Sequence, residues 1–168
     1  TGGGVGSIPV TVFPLIDDVA GAIATGSITP SGAAGVVATY RVRVAGILSA
    51  PFTTAVADSV AIICDKIVAA MNAVLDLPLN AVDGTTDVDI TAKWDGASGN
   101  DITVEVLDSN GETAHEDITF TIVQPAAGAA DPDVSSALAL FGSTWYTMVI
   151  NCFGPTITTV LNDIQDVG

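Results

Sequence analysis

Acidic side chains are concentrated between Asp83 and Asp117, and these are the residues whose type could most readily do chemistry. The stretch holds ten acids and a single base, Lys93. Because Ca²⁺ takes several carboxylate and carbonyl oxygens, a calcium site is one hypothesis. The spacing argues against it, since the glycine of Asp108-Ser109-Asn110-Gly111 comes two positions too early for an EF-hand loop.

The alternation of apolar and polar residues favours another role for these acids. The strand pattern places five acids outward, at or just before the predicted strands: Asp87, Asp89, Asp101, Glu105 and Asp117. This pattern is typical of a solvated acidic sheet face. A third alternative is a surface complementary to a basic neighbouring subunit. Arg41 and Arg43 point outward from one predicted strand and could meet such acids, within the chain or in another copy.

A lone histidine and two cysteines are the other reactive residues. His115 lies in a polar turn, where a solvated side chain is the usual outcome, and no G-x-S-x-G motif accompanies it to suggest a nucleophilic triad. One histidine and two distant cysteines are too few ligands for a zinc site. Cys64 and Cys152 each lie in an apolar run, which predicts small buried thiols, with a disulfide between them as the alternative.

The chain also lacks the residue patterns of glycoside hydrolases and of dinucleotide-binding enzymes. Glycoside hydrolysis needs two carboxyl groups that face a cleft, whereas these acids lie in turns and on outward strand positions. A dinucleotide loop needs a third glycine, but Ser7 stands there after Gly2 and Gly4, and no strand precedes them. The sequence therefore predicts a protein that is not an enzyme, with no catalytic residue, no metal ligand and no cofactor.

The charge balance restricts the partners. The net charge is −15, and the four basic residues are Arg41, Arg43, Lys66 and Lys93. Nucleic acids and anionic membranes are bound through clustered Lys and Arg, so neither is expected as a partner. The long uncharged window from Val134 to Asn162 is broken by glycine and proline, so no membrane segment is predicted.

The elements that must position these residues are mainly short strands. Residues 22–29 and 37–45 are predicted strands, and 47–53 is the predicted hairpin partner of the second, turning near Gly46. Four more strands follow at 79–82, 88–94, 102–107 and 118–123, and Asn110-Gly111 is typical of a tight hairpin between the last two.

One amphipathic helix is predicted from Asp58, as N-cap, to Leu75, with Pro78 preventing its continuation. Its apolar face should pack on a sheet. Ile62 falls within the polar arc and is either a half-buried flank or a subunit contact. The face predicted to be buried consists of Val60, Ile63, Cys64, Ile67, Val68, Met71 and Val74.

These elements predict an α+β fold, mostly antiparallel and β-rich with one packed helix, followed by the start of an α/β unit. Residues 1–21 form a flexible or extended leading arm, 22–124 the β-rich domain, and 125–130 a linker. Residues 131–168 begin the α/β unit. Within it, Asp131 caps a helix to about Leu140, 145–152 is a buried strand, and a second helix runs from Pro155 to about Asp166.

The order of several short motifs resembles the Mu-like contractile tail sheath family. The motifs are VATYRVRVAGI, the helix that follows from Asp58, LPLNAV, ITAKWDGASGNDITVEV and, later, SALALFGSTWYTMVI. The resemblance covers most of residues 8–168. One departure is the turn before Gly99, which is widened to Asp95-Gly96-Ala97-Ser98-Gly99. Sheath subunits are several hundred residues long, so the chain resembles an internal fragment.

This resemblance implies a structural role without an active site or a cofactor. Sheath subunits stack as six-membered rings around a tail tube and contract to drive it through the host envelope. The expected partners are neighbouring sheath subunits and the tube protein, and the expected location is the virion tail, assembled in the host cytoplasm. The alternative function is a β-rich adhesion or carbohydrate-binding module of a virion or secreted surface protein.

Overall fold

The computed structural model describes residue 15 and residues 17–32, 34–111 and 118–139. This part of the chain is mostly antiparallel β-structure with one long helix, which confirms the α+β class. The strands are β1 (Ile23–Ser31), β2 (Ala38–Val44), β3 (Ile47–Leu48), β4 (Phe52–Thr54), β5 (Leu79–Asp83), β6 (Val88–Asp95), β7 (Val104–Asp108) and β8 (Thr119–Ala126). The helices are α1 (Val60–Asn72) and a short α2 (Ser135–Ala139), and a 3₁₀ turn spans Ala97–Asp101.

The strands form two antiparallel sheets that share a core with α1. The first sheet has the order β5-β6-β1-β8, and in the second β2 pairs with β3 and β4 along one edge and with β7 along the other. Val42, Ile67 and Ile90, from the second sheet, the helix and the first sheet, are fully buried in one cluster. Tyr40 and Phe120 join the two sheets, with ring centroids 5.4 Å apart.

Strand β1 continues through Pro30, beyond its predicted end at residue 29. Pairing with β6 ends at Ile28, opposite Val88, whereas pairing with β8 continues to Ser31. Pro30 therefore lies beyond the part of β1 that is paired on both sides, where a residue without an N–H is tolerated.

The hairpin after β2 is confirmed, with an irregularity in its second arm. Ala45 and Gly46 both have positive φ, 47° and 86°, as a two-residue type I′ turn requires. The second arm is split into β3 and β4 around Ser49. Its buried hydroxyl accepts the N–H of Val42 at 2.9 Å, while its own N–H donates to the Val42 carbonyl at 2.7 Å.

Helix α1 buries the predicted face but begins later and ends earlier than predicted. Ser59 is the N-cap, and its Oγ accepts the N–H of Ile62. Asp58 does not cap the helix, because its carboxylate accepts the N–H of Ala55 at 2.7 Å and pairs with Lys66. The helix ends at Asn72, and Ile62 lies exposed. The buried residues are Ile63, Cys64, Ile67, Ala70 and Met71.

The predicted tight hairpin between β7 and β8 is wrong. β7 pairs with β2 from Val104–Val44 to Asp108–Tyr40, and β8 pairs with β1, so the two strands belong to different sheets. Asn-Gly is permissive for a turn, but it does not choose which strands pair. That choice is made by the packing of each strand's apolar face.

The segment after β8 differs from the predicted linker and helix start. β8 continues to Ala126, and Ala129 forms a bridge with Ala22. Asp131 does not cap a helix, because its Oδ1 accepts the N–H of Ser98 at 3.1 Å, and α2 starts only at Ser135. One five-residue helix does not support a helix-strand-helix unit. The strand predicted at 145–152, the second helix and most of the 1–21 arm lie outside the described residues.

Candidate functional site

Two arginines stand on the outer face of the second sheet. Arg41 and Arg43 alternate with the buried Val42 and Val44, as the sequence predicts. Glu105 lies directly across from Arg43 in the β2–β7 ladder and accepts its Nε–H at 2.7 Å, with a second bond from Nη2. Arg41 is exposed, and its Nη1 donates a long bond of 3.3 Å to the Ser49 carbonyl. The expected meeting of arginine and acid thus occurs within the chain at Arg43.

The two lysines are bound to backbone carbonyls at element ends. The Lys66 Nζ donates to the Thr53 carbonyl at 2.9 Å and pairs with Asp58. Its hydrogen bond, followed by that from the Ala55 N–H, holds the pKa of Asp58 below its usual value. The Lys93 Nζ donates to the Leu75 carbonyl at 2.8 Å, just past the C-terminus of α1. All four cations of the chain therefore have partners inside the described domain.

The acids that were predicted to share one outward face are divided between different places. Asp89 points from the outer face of the first sheet, whereas Glu105 belongs to the second. Asp87 closes the β5–β6 turn and Asp101 ends the 3₁₀ turn. Asp117 lies outside the described residues. The alternation of residues predicts the side of a strand on which each acid lies. It does not predict that the strands belong to two different sheets, which separates the acids.

The described acids do not converge on a metal. Among residues 15, 17–32, 34–111 and 118–139, no group of three or more His, Cys, Asp and Glu side chains is placed to hold an ion. Several carboxylates instead accept nearby backbone N–H groups, as Asp83 does from Thr85 and Asp108 does from Asn110. Such bonds are typical of Asx turns.

Cys64 lies on the buried face of α1 and is fully buried in the core of the domain. Burial, followed by the charges of Asp83, Asp87 and Asp65, raises the pKa of its thiol from 9.0 to about 11. A thiol of this kind is protonated at neutral pH and therefore a poor nucleophile. Cys64 carries a free thiol, so the structure does not support the alternative of a disulfide at this residue. His115 and Cys152 lie outside the described residues.

An open groove of about 380 Å³ lies between β7 and β8. Its walls are mostly apolar, and Glu105, its one titratable lining residue, is already bound to Arg43. A hydrolytic cleft needs at least two ionisable groups aimed at the same point. This groove lacks that arrangement.

Three side-chain amides bind both the N–H and the C=O of a single residue elsewhere, a feature that sequence reasoning missed. Asn72 binds Ala81 on the edge strand β5, and Gln124 binds Val104 on the edge strand β7. Asn100 binds Gly128 in the same way. Each amide makes the two hydrogen bonds, one donated and one accepted, that a residue of a neighbouring strand would make. No local pattern marks such residues, because their partners are distant in sequence.

No helix in the described part of the chain combines the length and apolarity that a bilayer crossing requires. The surface features of the domain are thus its arginine-bearing face, its exposed acidic turns and the amide-capped edges.

Comparison with known proteins shows which protein this chain is similar to in sequence. No family model matches the chain. A curated relative, the Mu-like prophage FluMu tail sheath protein of Haemophilus influenzae, is 30% identical over 152 residues, which is 89% of this chain. The chain is a relative of the Mu-like tail sheath proteins. The resemblance inferred from the ordered motifs is therefore confirmed. The matched region spans 31% of the length of that tail sheath protein.

Proposed function

We propose that this chain is a structural part of a contractile phage tail sheath. In this role it stacks in six-membered rings around a tail tube and moves with the sheath when it contracts. The observation that carries the proposal is the 30% identity to a tail sheath protein over 89% of the chain. The expected partners are neighbouring sheath subunits and the tube protein. The expected location is the virion tail, after assembly in the host cytoplasm.

The surface chemistry of the described domain is consistent with a role that involves no reaction. The buried thiol of Cys64 is held protonated, and the β7–β8 groove contains one carboxylate that is already paired. The net charge of −15 favours solubility and repulsion between free subunits. Such a chain assembles where specific contacts overcome that repulsion.

We further propose that residues 22–124 move as one rigid body during contraction. A core that runs continuously through both sheets and α1 supports rigid motion, because close-packed interiors resist gradual deformation. Contraction then exchanges one set of contacts between subunits for a more stable set.

Electron microscopy of the full-length protein tests the assembly. Rings or tubes with sixfold symmetry are expected as protein concentration and salt are raised. A particle that stays solitary under every condition would contradict the proposal. Superposition of extended and contracted assemblies tests the rigid body, and a large internal rearrangement of residues 37–123 would overturn it.

Calcium dependence separates this role from that of an adhesion module. Adhesion modules commonly gain thermal stability from bound Ca²⁺, whereas a sheath domain without a metal site should not. We expect the melting temperature to be the same with calcium and with a chelator. A marked rise with calcium would favour the adhesion role.

A further inference from the structure

The outer face of the second sheet is locally basic on a strongly acidic chain. We define the arginine face as Thr39, Arg41, Arg43, Thr53 and Glu105, which lie on neighbouring strands of that sheet. It carries two arginines and one carboxylate, so its local charge is positive, while the chain as a whole carries −15. A positive patch on an otherwise negative surface attracts the acidic groups of another copy, whereas the rest of the surface repels them.

Arg41 is the cation of this face that is available to a partner. Arg43 is held by Glu105 through two hydrogen bonds, and both side chains remain more than 40% exposed. Arg41 is exposed and makes the long 3.3 Å contact with the Ser49 carbonyl. A guanidinium has five N–H donors in a fixed fork, so most of its donor capacity remains for an incoming carboxylate.

The β5–β6 turn has the complementary charge and shape. Asp83 and Asp87 flank the exposed residues Gly84, Thr85 and Thr86. The turn is held in place by bonds from the Thr85 N–H to Asp83 Oδ1 and from the Gly84 N–H to the Asp87 carbonyl, both 2.9 Å. Neither of the two ion pairs in the described part of the chain reaches it.

We propose that the arginine face of one copy binds the Asp83–Asp87 turn of the next copy. This inference rests on the proposed function, since it names the contact through which copies assemble. Face and turn lie on different sheets, so one copy can use both at once. Such a head-to-tail contact generates rings or helical arrays rather than a closed dimer.

The matched variants Arg41→Glu and Lys93→Glu test this contact in the full-length protein. Both change the net charge by the same amount, but Lys93 lies on β6, away from the arginine face. Self-association is measured by sedimentation velocity at several salt concentrations, and thermal melting checks that each variant is folded. We expect Arg41→Glu to weaken association by about tenfold or more, and Lys93→Glu to have a much smaller effect.

A charge swap in one chain provides the second arm. Arg41→Glu combined with Asp83→Lys should restore association, because the new glutamate meets the new lysine of the next copy. Equal weakening by Arg41→Glu and Lys93→Glu would mean that net charge alone is responsible and would overturn the contact. If Arg41→Glu weakens association and the swap does not restore it, the contact with the Asp83–Asp87 turn is also overturned. The arginine face would then bind a different acidic partner.

The failure of this inference is distinguishable from failure of the proposed function. If the unmodified protein assembles and Arg41→Glu assembles equally well, the sheath role stands and this contact is wrong. If the unmodified protein never associates, the sheath role itself is contradicted.

Discussion

The side-chain amide of Gln124 on β8 binds both backbone polar groups of Val104 on β7. Its Oε1 accepts the Val104 N–H and its Nε2 donates to the Val104 carbonyl, each at 2.8 Å. β7 and β8 share no backbone ladder with each other, so this amide connects the facing edges of the two sheets. Because Val104 is fully buried, its polar groups depend on such a partner.

Replacement of Gln124 should destabilise the domain in a way that depends on pH. Gln124→Met leaves both Val104 groups without the amide, and we expect a loss of about 1–3 kcal/mol in the free energy of unfolding. Gln124→Glu keeps the acceptor, but its carboxylate faces the Val104 carbonyl, which raises the pKa of the new side chain. A protonated Glu can donate to that carbonyl.

The Gln124→Glu variant should therefore recover stability relative to the unmodified protein as pH falls towards about 4. That contribution is present at low pH and is lost as pH rises through the folded-state pKa. Denaturant unfolding of both proteins across this range measures the difference. A difference that does not change with pH would show that the amide does not bridge the two sheets.

Asn72 should protect the outer edge of β5. Its amide donates to the Ala81 carbonyl at 2.8 Å and accepts the Ala81 N–H at 3.2 Å. Asn72→Ala should lower the free energy of unfolding by about 1–2 kcal/mol and speed hydrogen exchange at the Ala81 amide. Asn80→Ala, an exposed change on the same strand, is the control and should leave that exchange unchanged. Equal exchange in the two variants would contradict the role of Asn72.

Thr85 should be replaceable by glycine with a gain in stability. It is a β-branched residue with a φ of 76° in an exposed turn, where a side chain is disfavoured. Relief of this strain exceeds the entropy that glycine adds to the unfolded chain, so we expect Thr85→Gly to stabilise by about 0.5–1 kcal/mol. Thr86→Gly, the neighbouring change, should destabilise. Thermal unfolding of both variants checks the sign, and a lower melting temperature for Thr85→Gly would refute it.

The buried Cys64 thiol should make the domain less stable in alkaline solution. Its pKa is raised from 9.0 to about 11, so the unfolded state releases its proton first as pH rises. The stability that this thiol contributes is complete below about pH 9 and is lost as pH rises towards 11, by at most about 2–3 kcal/mol.

The Cys64→Ala variant isolates that contribution. It should be less stable at neutral pH because of the cavity it creates, but the gap to the unmodified protein should narrow above pH 9. Denaturant unfolding under reducing conditions at pH 7–10.5 gives the comparison. A constant gap across this range would mean that the thiol titrates at its ordinary pKa.

The features that repeat over a few residues could be predicted from the sequence. The alternation of Tyr40, Val42 and Val44 with Arg41 and Arg43 predicted both the strand and its buried face. The 3.6-residue spacing predicted the face that α1 buries. The ordered motifs also identified the related family. These periodicities follow from local backbone geometry, so they do not depend on how the rest of the chain folds.

Which polar groups meet could be known only from the folded structure. The assignment of β7 and β8 to different sheets, the amide bridges of Asn72 and Gln124, and the choice of Ser59 over Asp58 as N-cap all depend on groups that only the folded chain brings together. Asp58 has a good N-cap side chain, but Lys66 and the Ala55 N–H take its carboxylate. Each polar group binds where geometry brings a partner, and that geometry is fixed only when the apolar faces have packed together.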